Sequence, residues 1–469
     1  MRLRTRLPGS QRDAPPGGGS ATADYGRLAS FLALGVGLTG VITYVYFFIA
    51  SHVLSKPDYG QITVLWSAVF ITISTLYRPI EQLLSRHISE HLVKGEPIGQ
   101  PMRVAAKIQL GLGLTFAVGA LALRGPLQDG LLEGNETLYW IFFSAVLFYA
   151  ASYFARGFLA GSRRFGLFTA LILSESVFRT MFAVLVAVSV LSGQSAVAIG
   201  IVAAPSLSLM VVPLAFARRA RTAPAAEATS TQKASEFSLT HGAGFAAAVL
   251  FVMFSEQVFL NAGPLIVRGL EGAAAAGFIF NVLMIARAPL QLFQAVSTSI
   301  LPHLTSLHTS TEEGSEGEFH RSVRMVLIAV AAFTALAALA VLVAGPQLMQ
   351  LAFSRKFSYD RPGLLLVTLG MGLYLCSVTV NQACVAQGQV RRAAARWIGC
   401  AAAFVAWNLL PLVGDEFRRV ELGFVLAAGL LLALLYVVYR RPHERTEDIP
   451  EAGSPEELEV RLATLDENL

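Results

Sequence analysis

Residues 28–50 read LASFLALGVGLTGVITYVYFFIA, 23 consecutive positions without a charged side chain. At about 1.5 Å of rise per residue, such a run in helical form covers ~34 Å, enough for the ~30 Å hydrocarbon core of a bilayer. Inside that core the backbone has no water to bond with, so the segment has to be a helix. The same signature recurs along nearly the whole chain. It predicts spans at 61–80, 104–123, 137–158, 167–191, 196–217, 242–263, 273–297, 325–344, 362–386, 393–413 and 422–439. The expected fold class is therefore an all-α polytopic membrane protein of about 12 transmembrane helices.

Charge fixes the expected orientation. With the N-terminus in the cytoplasm, only Lys56, Arg124, Arg268, Arg355, Lys356, Arg361, Arg418 and Arg419 fall on outside loops. Arg78, Arg179 and Arg287 fall inside helices, and the remaining 25 of the 36 basic residues fall on inside loops and tails. Lys and Arg accumulate on cytoplasmic loops, so both termini are expected inside. The loop between spans 9 and 10, with Arg355, Lys356 and Arg361, runs against the trend. The net charge of +5 follows from this sorting. No basic patch is interleaved with aromatics, so nucleic acid is not an expected partner.

Hydrophobic residues make up 54% of the chain and charged ones 14%, outside the range of ordinary soluble domains. Cys376, Cys384 and Cys400 all fall on predicted helices without metal-ligand spacing and read as packing residues. Expected boundaries are a disordered tail at 1–24, an N-terminal lobe at 25–221, an Ala/Ser/Thr-rich linker at 222–240, a C-terminal lobe at 241–441 and an acidic tail at 442–469. No predicted loop is long enough for a catalytic domain. No phosphate-binding lysine loop is present, so an internal ATPase is not expected.

The two halves echo each other. Gly60 in KPDYGQITVLW matches Gly277 in EGAAAAGFIFNVL at an offset of 217, and His87 matches His303 at 216. Gly161 in FLAGSRRFG matches Gly388 in CVAQGQVRRAA at 227, each followed by a basic pair. Both copies start on the same side, which predicts a parallel repeat about an axis along the membrane normal, with a substrate site near the midplane.

The stretch VLSKPDYGQITVLWSAVFITISTLYRPIEQLLSRHISE resembles the first hairpin of polysaccharide flippases. ARGFLAGSRRFGLF resembles their 4–5 loop, and AAAAGFIFNVLMIARAPLQLFQAVSTSILPHLTSL their helix 8. The family is the multidrug/oligosaccharidyl-lipid/polysaccharide (MOP) exporter superfamily, polysaccharide-transport (Wzx-like) branch, over roughly residues 25–440. The resemblance implies a MATE-like, V-shaped pair of six-helix lobes. It implies alternating access that turns a polyprenyl-diphosphate-linked oligosaccharide from the inner to the outer leaflet of a bacterial cytoplasmic membrane. It also admits a polymerase and glycosyltransferases as partners. The alternative within the superfamily is a cation-coupled multidrug antiporter. A polytopic glycosyltransferase or ligase, or an inactive scaffold, belongs to other classes.

A diphosphate headgroup calls for cations and its sugars for amides, so intramembrane polar residues are the candidates. For the substrate these are Arg179, Arg287, Arg78, Gln291 and Asn281. Glu175, four residues before Arg179 on one helical face, reads either as its counter-ion or as a coupling site. Glu256 reads as a coupling carboxylate for a proton or sodium gradient, or as a partner of Arg287 from ~9 Å away in depth. Metal and other cofactors are not expected. Asn381 and Asn408 read as packing hydrogen bonds, and Tyr44, Tyr46 and Trp66 as anchors at the outer interface. Gly35, Gly37 and Gly40 permit close packing of helix 1 or a bend in it.

Overall fold

The computed structural model describes residues 18–213, 239–287 and 315–440. The expected linker, the C-terminal tail, residues 1–17, Gln291, Gln294 and His303 lie outside the described residues. The N-terminal half comprises α1 (Gly18–Val53), α2 (Lys56–Leu76), α3 (Arg78–Lys94), α4 (Gly99–Ala122), α5 (Glu136–Gly161), α6 (Phe165–Ala187) and α7 (Gly193–Ser208). The C-terminal half comprises α8 (Leu239–Glu271), α9 (Ala273–Arg287), α10 (Ser315–Ala352), α11 (Arg361–Ala386), α12 (Val390–Leu409) and α13 (Glu416–Arg440).

Among the described residues ten helical segments are long and apolar enough to cross a membrane. The two other expected spans coincide with α9, whose described part is short, and with α12, which opens on Arg391, Arg392 and Arg396. Every predicted span therefore falls on a helix over its described residues. Helix ends differ from the apolar runs because polar turns continue the backbone ladder beyond hydrocarbon. α1 begins at Gly18, inside the tail expected to be disordered, and α8 continues through Pro264 to Glu271.

The second span is a single run, Lys56–Leu92, broken at Tyr77 between α2 and α3. Pro79 lacks an amide hydrogen and crowds the carbonyl four residues earlier, so the ladder cannot pass straight through. Arg78 sits at this break. From there α3 runs on to Lys94 and ends in a left-handed Gly95.

Packing inside the two halves follows one pattern. α1 packs on α6, α4 on α5, α5 on α7 and α6 on α7; α8 packs on α12, α10 on α11, α11 on α13 and α12 on α13. Each C-terminal pairing is the counterpart of an N-terminal one under the offset read from the glycines. Small residues allow the closest approaches, as in membrane helix pairs generally. A Cβ on Gly35 would lie 2.1 Å from the Thr169 side chain, which ties α1 to α6. Aromatic rings fill the seams: Phe259 stacks on Phe404 at 5.6 Å, and the Trp397 indole donates to Asn381 at 3.0 Å. The Asn408 amide donates to the Phe404 carbonyl, so both asparagines are packing groups.

The halves meet along α2 and α8, and tightly at the end of the bundle that carries the α1–α2 turn. There the two repeat-equivalent glycines touch. A Cβ on Gly60 would lie 1.8 Å from the Ala273 carbonyl oxygen, and one on Gly277 would lie 3.2 Å from the Gly60 Cα. Tyr59 packs on Phe357 at 5.0 Å and donates its hydroxyl to Asn281; Phe47 packs on Phe280 at 4.6 Å. Lys356, from the loop whose charge opposes the topology rule, donates to the Leu54 carbonyl at 3.3 Å across the same seam. Tyr359, in the same loop, donates to Glu421 of α13. Burial and that neighbouring carboxylate push its phenol well above the usual range, which keeps it a donor.

Candidate functional site

The charges inside the helices form two groups. The first is in the N-terminal half and depends on glycine. A Cβ on Gly157 would lie 2.9 Å from the Glu81 carbonyl oxygen, and one on Gly161 would lie 2.7 Å from that of Ser85. These two glycines, one helical turn apart, let α5 lie directly on α3. That approach carries Arg156, one residue before Gly157, between α3 and α6. The Arg156 guanidinium bonds one oxygen of Glu175, and the Ser152 hydroxyl bonds the other. The Glu175 side chain is 4% exposed and that of Arg156 16%, so this is a buried ion pair with both carboxylate oxygens engaged. Arg156 also lies 4.6 Å from the Tyr153 ring centroid. Glu81 lies in the fields of Arg156, Arg78 and Glu175.

Arg179 is one turn beyond Glu175 on α6 and is 3% exposed. Its guanidinium sits over the Trp66 ring at 4.6 Å, near Phe70 at 6.0 Å, and donates to the Tyr149 hydroxyl at 2.9 Å. Its Nε has no hydrogen-bond partner, and no carboxylate lies within ion-pair distance among the described residues. The expected Glu175–Arg179 neutralisation therefore does not occur. Glu175 is claimed by Arg156 from the facing helix, and the flat guanidinium of Arg179 finds a π face instead. Trp66 and Tyr46 are core residues here, 6% and 0% exposed, rather than interface anchors. Tyr44 donates to the Met284 carbonyl across the halves.

The second group surrounds α8. The Arg287 Nη2 donates to Asn261 Oδ1 at 3.3 Å, and Asn261 in turn donates to Gln257 at 3.0 Å. The Arg287 Nε is buried without a partner. Glu256 lies on α8 with Asn261. Glu256 and Arg287 form no ion pair among the described residues, and Arg78 of the other half lies within electrostatic reach of Glu256. Tyr374 of α11 lies in the fields of Glu256, Arg287 and Arg78 together. Arg287 is thus held on Asn261 of α8, with Tyr374 within electrostatic reach of it, and Arg179 and Glu175 are set apart, inside the N-terminal half. Asn281 is elsewhere, fully buried under Tyr59.

The charge sorting of the sequence puts Arg156 on the loop between spans 4 and 5, and Glu81 is not among its candidates. The signal was present for Arg156, which lies inside the predicted apolar run and directly before a Gly-x-x-x-Gly spacing. Glu81 carries no comparable mark, since its place beside Arg156 arises only from α3–α5 packing.

No protein-family model and no curated protein matches this sequence. Solved structures do. An inward-facing multidrug resistance MATE family transporter of the MOP superfamily aligns with a TM-score of 0.59 at 13% identity, over 87% of this chain and 96% of that one. An outward-facing one aligns at 0.55 and 14%, over 88% and 94%. A mutant form of the Vibrio cholerae MATE transporter VcmN aligns at 0.52 and 16%, over 90% and 97%. This chain has the MATE fold. In that fold the sealed α1–α2 end and the charges at the seam occupy one bundle of two related halves.

Proposed function

We propose that this chain is a MOP-type transporter that turns a polyprenyl-diphosphate-linked oligosaccharide from the inner to the outer leaflet of a bacterial cytoplasmic membrane by alternating access. The observation that carries this reading is the surplus of intramembrane cation. Arg179 and Arg287 have no carboxylate within ion-pair distance among the described residues, and each leaves its Nε unpartnered. An uncompensated guanidinium at this depth is costly, and a bound anion offsets the cost. A diphosphate supplies that anion, and a guanidinium fork suits its oxygens. Arg78 and Arg287 are the candidates to meet the headgroup first. Arg179 is reached only when the Trp66–Tyr149 enclosure opens. Asn281 and Gln291 are sugar-contact candidates on the span that begins with α9.

Cytoplasmic termini, membrane lipids around the helices, and a polymerase and glycosyltransferases as partners belong to the same reading. A second reading has its own observation. Glu256 is an intramembrane carboxylate without an ion pair among the described residues, which suits a proton- or sodium-coupled antiporter of cationic drugs, with Glu175 as a further coupling candidate.

Headgroup accessibility in sealed vesicles separates the two. Arg287→Ala and Arg179→Ala are each expected to lower lipid-linked sugar translocation at least about tenfold with expression unchanged, since a lost charge-assisted contact of ~1.4 kcal/mol is a factor of ten. Lys at either position is expected to restore part of it. Flipping at the parent rate in both alanine variants refutes the cationic site; loss of drug efflux in Glu256→Gln then favours the antiporter.

A further inference from the structure

We propose that Glu133 is a latch that holds the two halves shut at the α1–α2 end, and that its release is a required step in opening that end. Glu133 lies between α4 and α5, after a π-helical turn at Pro126–Leu131, and has a φ of +56°. An L residue other than Asn, Asp or Gly is uncommon in that left-handed region, so the backbone is held there by what surrounds it. Its carboxylate is shared three ways. Oε2 accepts from the Gln61 amide of α2 at 2.6 Å, within its own half. Oε1 accepts from the Ala273 amide at 3.3 Å, at the opening turn of α9, and lies 3.6 Å from the Arg268 Nε of α8, both in the other half. Arg268 also donates to the Leu131 carbonyl at 3.1 Å.

One side chain therefore ties α2 to both α8 and α9, the helices that meet at Gly272, whose φ of +90° turns the chain. The Gln61 amide is fixed in turn by Gln194 of α7 at 2.8 Å. The glycine contact of Gly60 on Ala273 and Gly277 seals the end sterically but has no directional bond between the two glycines. Glu133 supplies the directional bonds beside it. Related folds are solved both inward- and outward-facing, and any opening at this end separates Gly60 from Ala273. Since Glu133 holds Ala273 from the N-terminal half, its bonds to α8 and α9 break in that movement. The latch concerns opening and not cargo, so it stands or falls apart from the lipid-linked substrate.

The test uses the full chain in nanodiscs, with the three native cysteines replaced by alanine and a reporter introduced by Phe357→Cys. Phe357 is fully buried against Tyr59 at the sealed end. The readout is the rate of modification by a water-soluble maleimide. Glu133→Ala is expected to raise that rate about fivefold to tenfold, the scale of a partly exposed charge-assisted bond acting on a two-state equilibrium. Glu133→Asp, which keeps the charge and shortens the reach, is expected to raise it less. Glu136→Ala is the control, because Glu136 pairs with Arg124 at 2.8 Å within its own half and is expected to leave the rate unchanged. Reversing the pair, Glu133→Arg with Arg268→Glu, is expected to return part of the protection lost in the single variants. Equal rates in the parent, Glu133→Ala and Glu133→Asp overturn the latch. So does a rise in Glu136→Ala equal to that in Glu133→Ala, which would mark general loosening of the loop.

Discussion

Arg156 and Arg179 show how much a guanidinium's role depends on the surface it meets. Both are carried by membrane helices of the same half, yet one is neutralised by Glu175 and the other is stacked on Trp66. Removing one partner of a buried pair leaves the other charge unpaired, which costs about 3 kcal/mol or more, whereas removing both is far less damaging. Arg156→Met is therefore expected to lower the thermal transition of the detergent-solubilised protein clearly. Arg156→Met with Glu175→Gln is expected to recover most of the loss. A double variant as unstable as the sum of the singles would show that the two act separately. At this scale the sequence showed which residues are costly in hydrocarbon but not who partners whom. Glu175 and Arg179 share a helical face, and only the arrival of α5 decides against that local pair.

At the scale of elements, glycine spacing controls which helices touch. Gly157 and Gly161 face the α3 backbone at less than normal contact distance for a Cβ, while Gly111 has open space around its position. Gly161→Leu is expected to push α5 from α3, displace Arg156 from Glu175 and reduce the yield of monodisperse protein severalfold, because the obstacle is backbone that cannot rotate away. Gly111→Ala is expected to be neutral or stabilising by up to about 1 kcal/mol, the helix-propensity gain. Size-exclusion profiles of the two variants check the contrast; a normal profile for Gly161→Leu would mean that α3 and α5 tolerate separation. The break at Tyr77 belongs to the same scale. The apolar run 61–80 contains Pro79 and reads in the sequence as one span. Polar residues from Glu81 onward continue the helix as α3, because the backbone ladder persists without apolar side chains.

In the whole molecule, the same four helix pairings recur in both halves, and the repeat-related Gly60 and Gly277 meet at the seam between them. Each half thus carries its own set of packed neighbours. Fragments 1–225 and 235–469, expressed together as separate chains, are expected to co-purify and to retain part of the activity. Stable fragments that fail to associate would show that continuity of the chain is needed for the halves to meet. The seam also joins groups from opposite halves, Tyr44 with Met284, and Glu133 with Arg268 and Ala273. A movement of one half against the other changes both sets together.

The sequence by itself determined that the chain is a bundle of membrane-length helices, since a run such as 28–50 admits no other backbone in hydrocarbon. It also marked the halves, through glycines at offsets of 217 and 227, and the intramembrane arginines that carry the functional reading. Tertiary structure alone decided the partners. Arg156 takes Glu175 because two glycines bring α5 onto α3. Trp66 lies under Arg179 because α2 packs beside α5 and α7 instead of facing the lipid interface. Arg287 takes Asn261 of α8, and Glu256 on the same helix is left without an ion pair among the described residues. Apolar periodicity records whether a side chain avoids water. It does not record which neighbouring helix the side chain will face, and that choice follows from contacts distant in sequence.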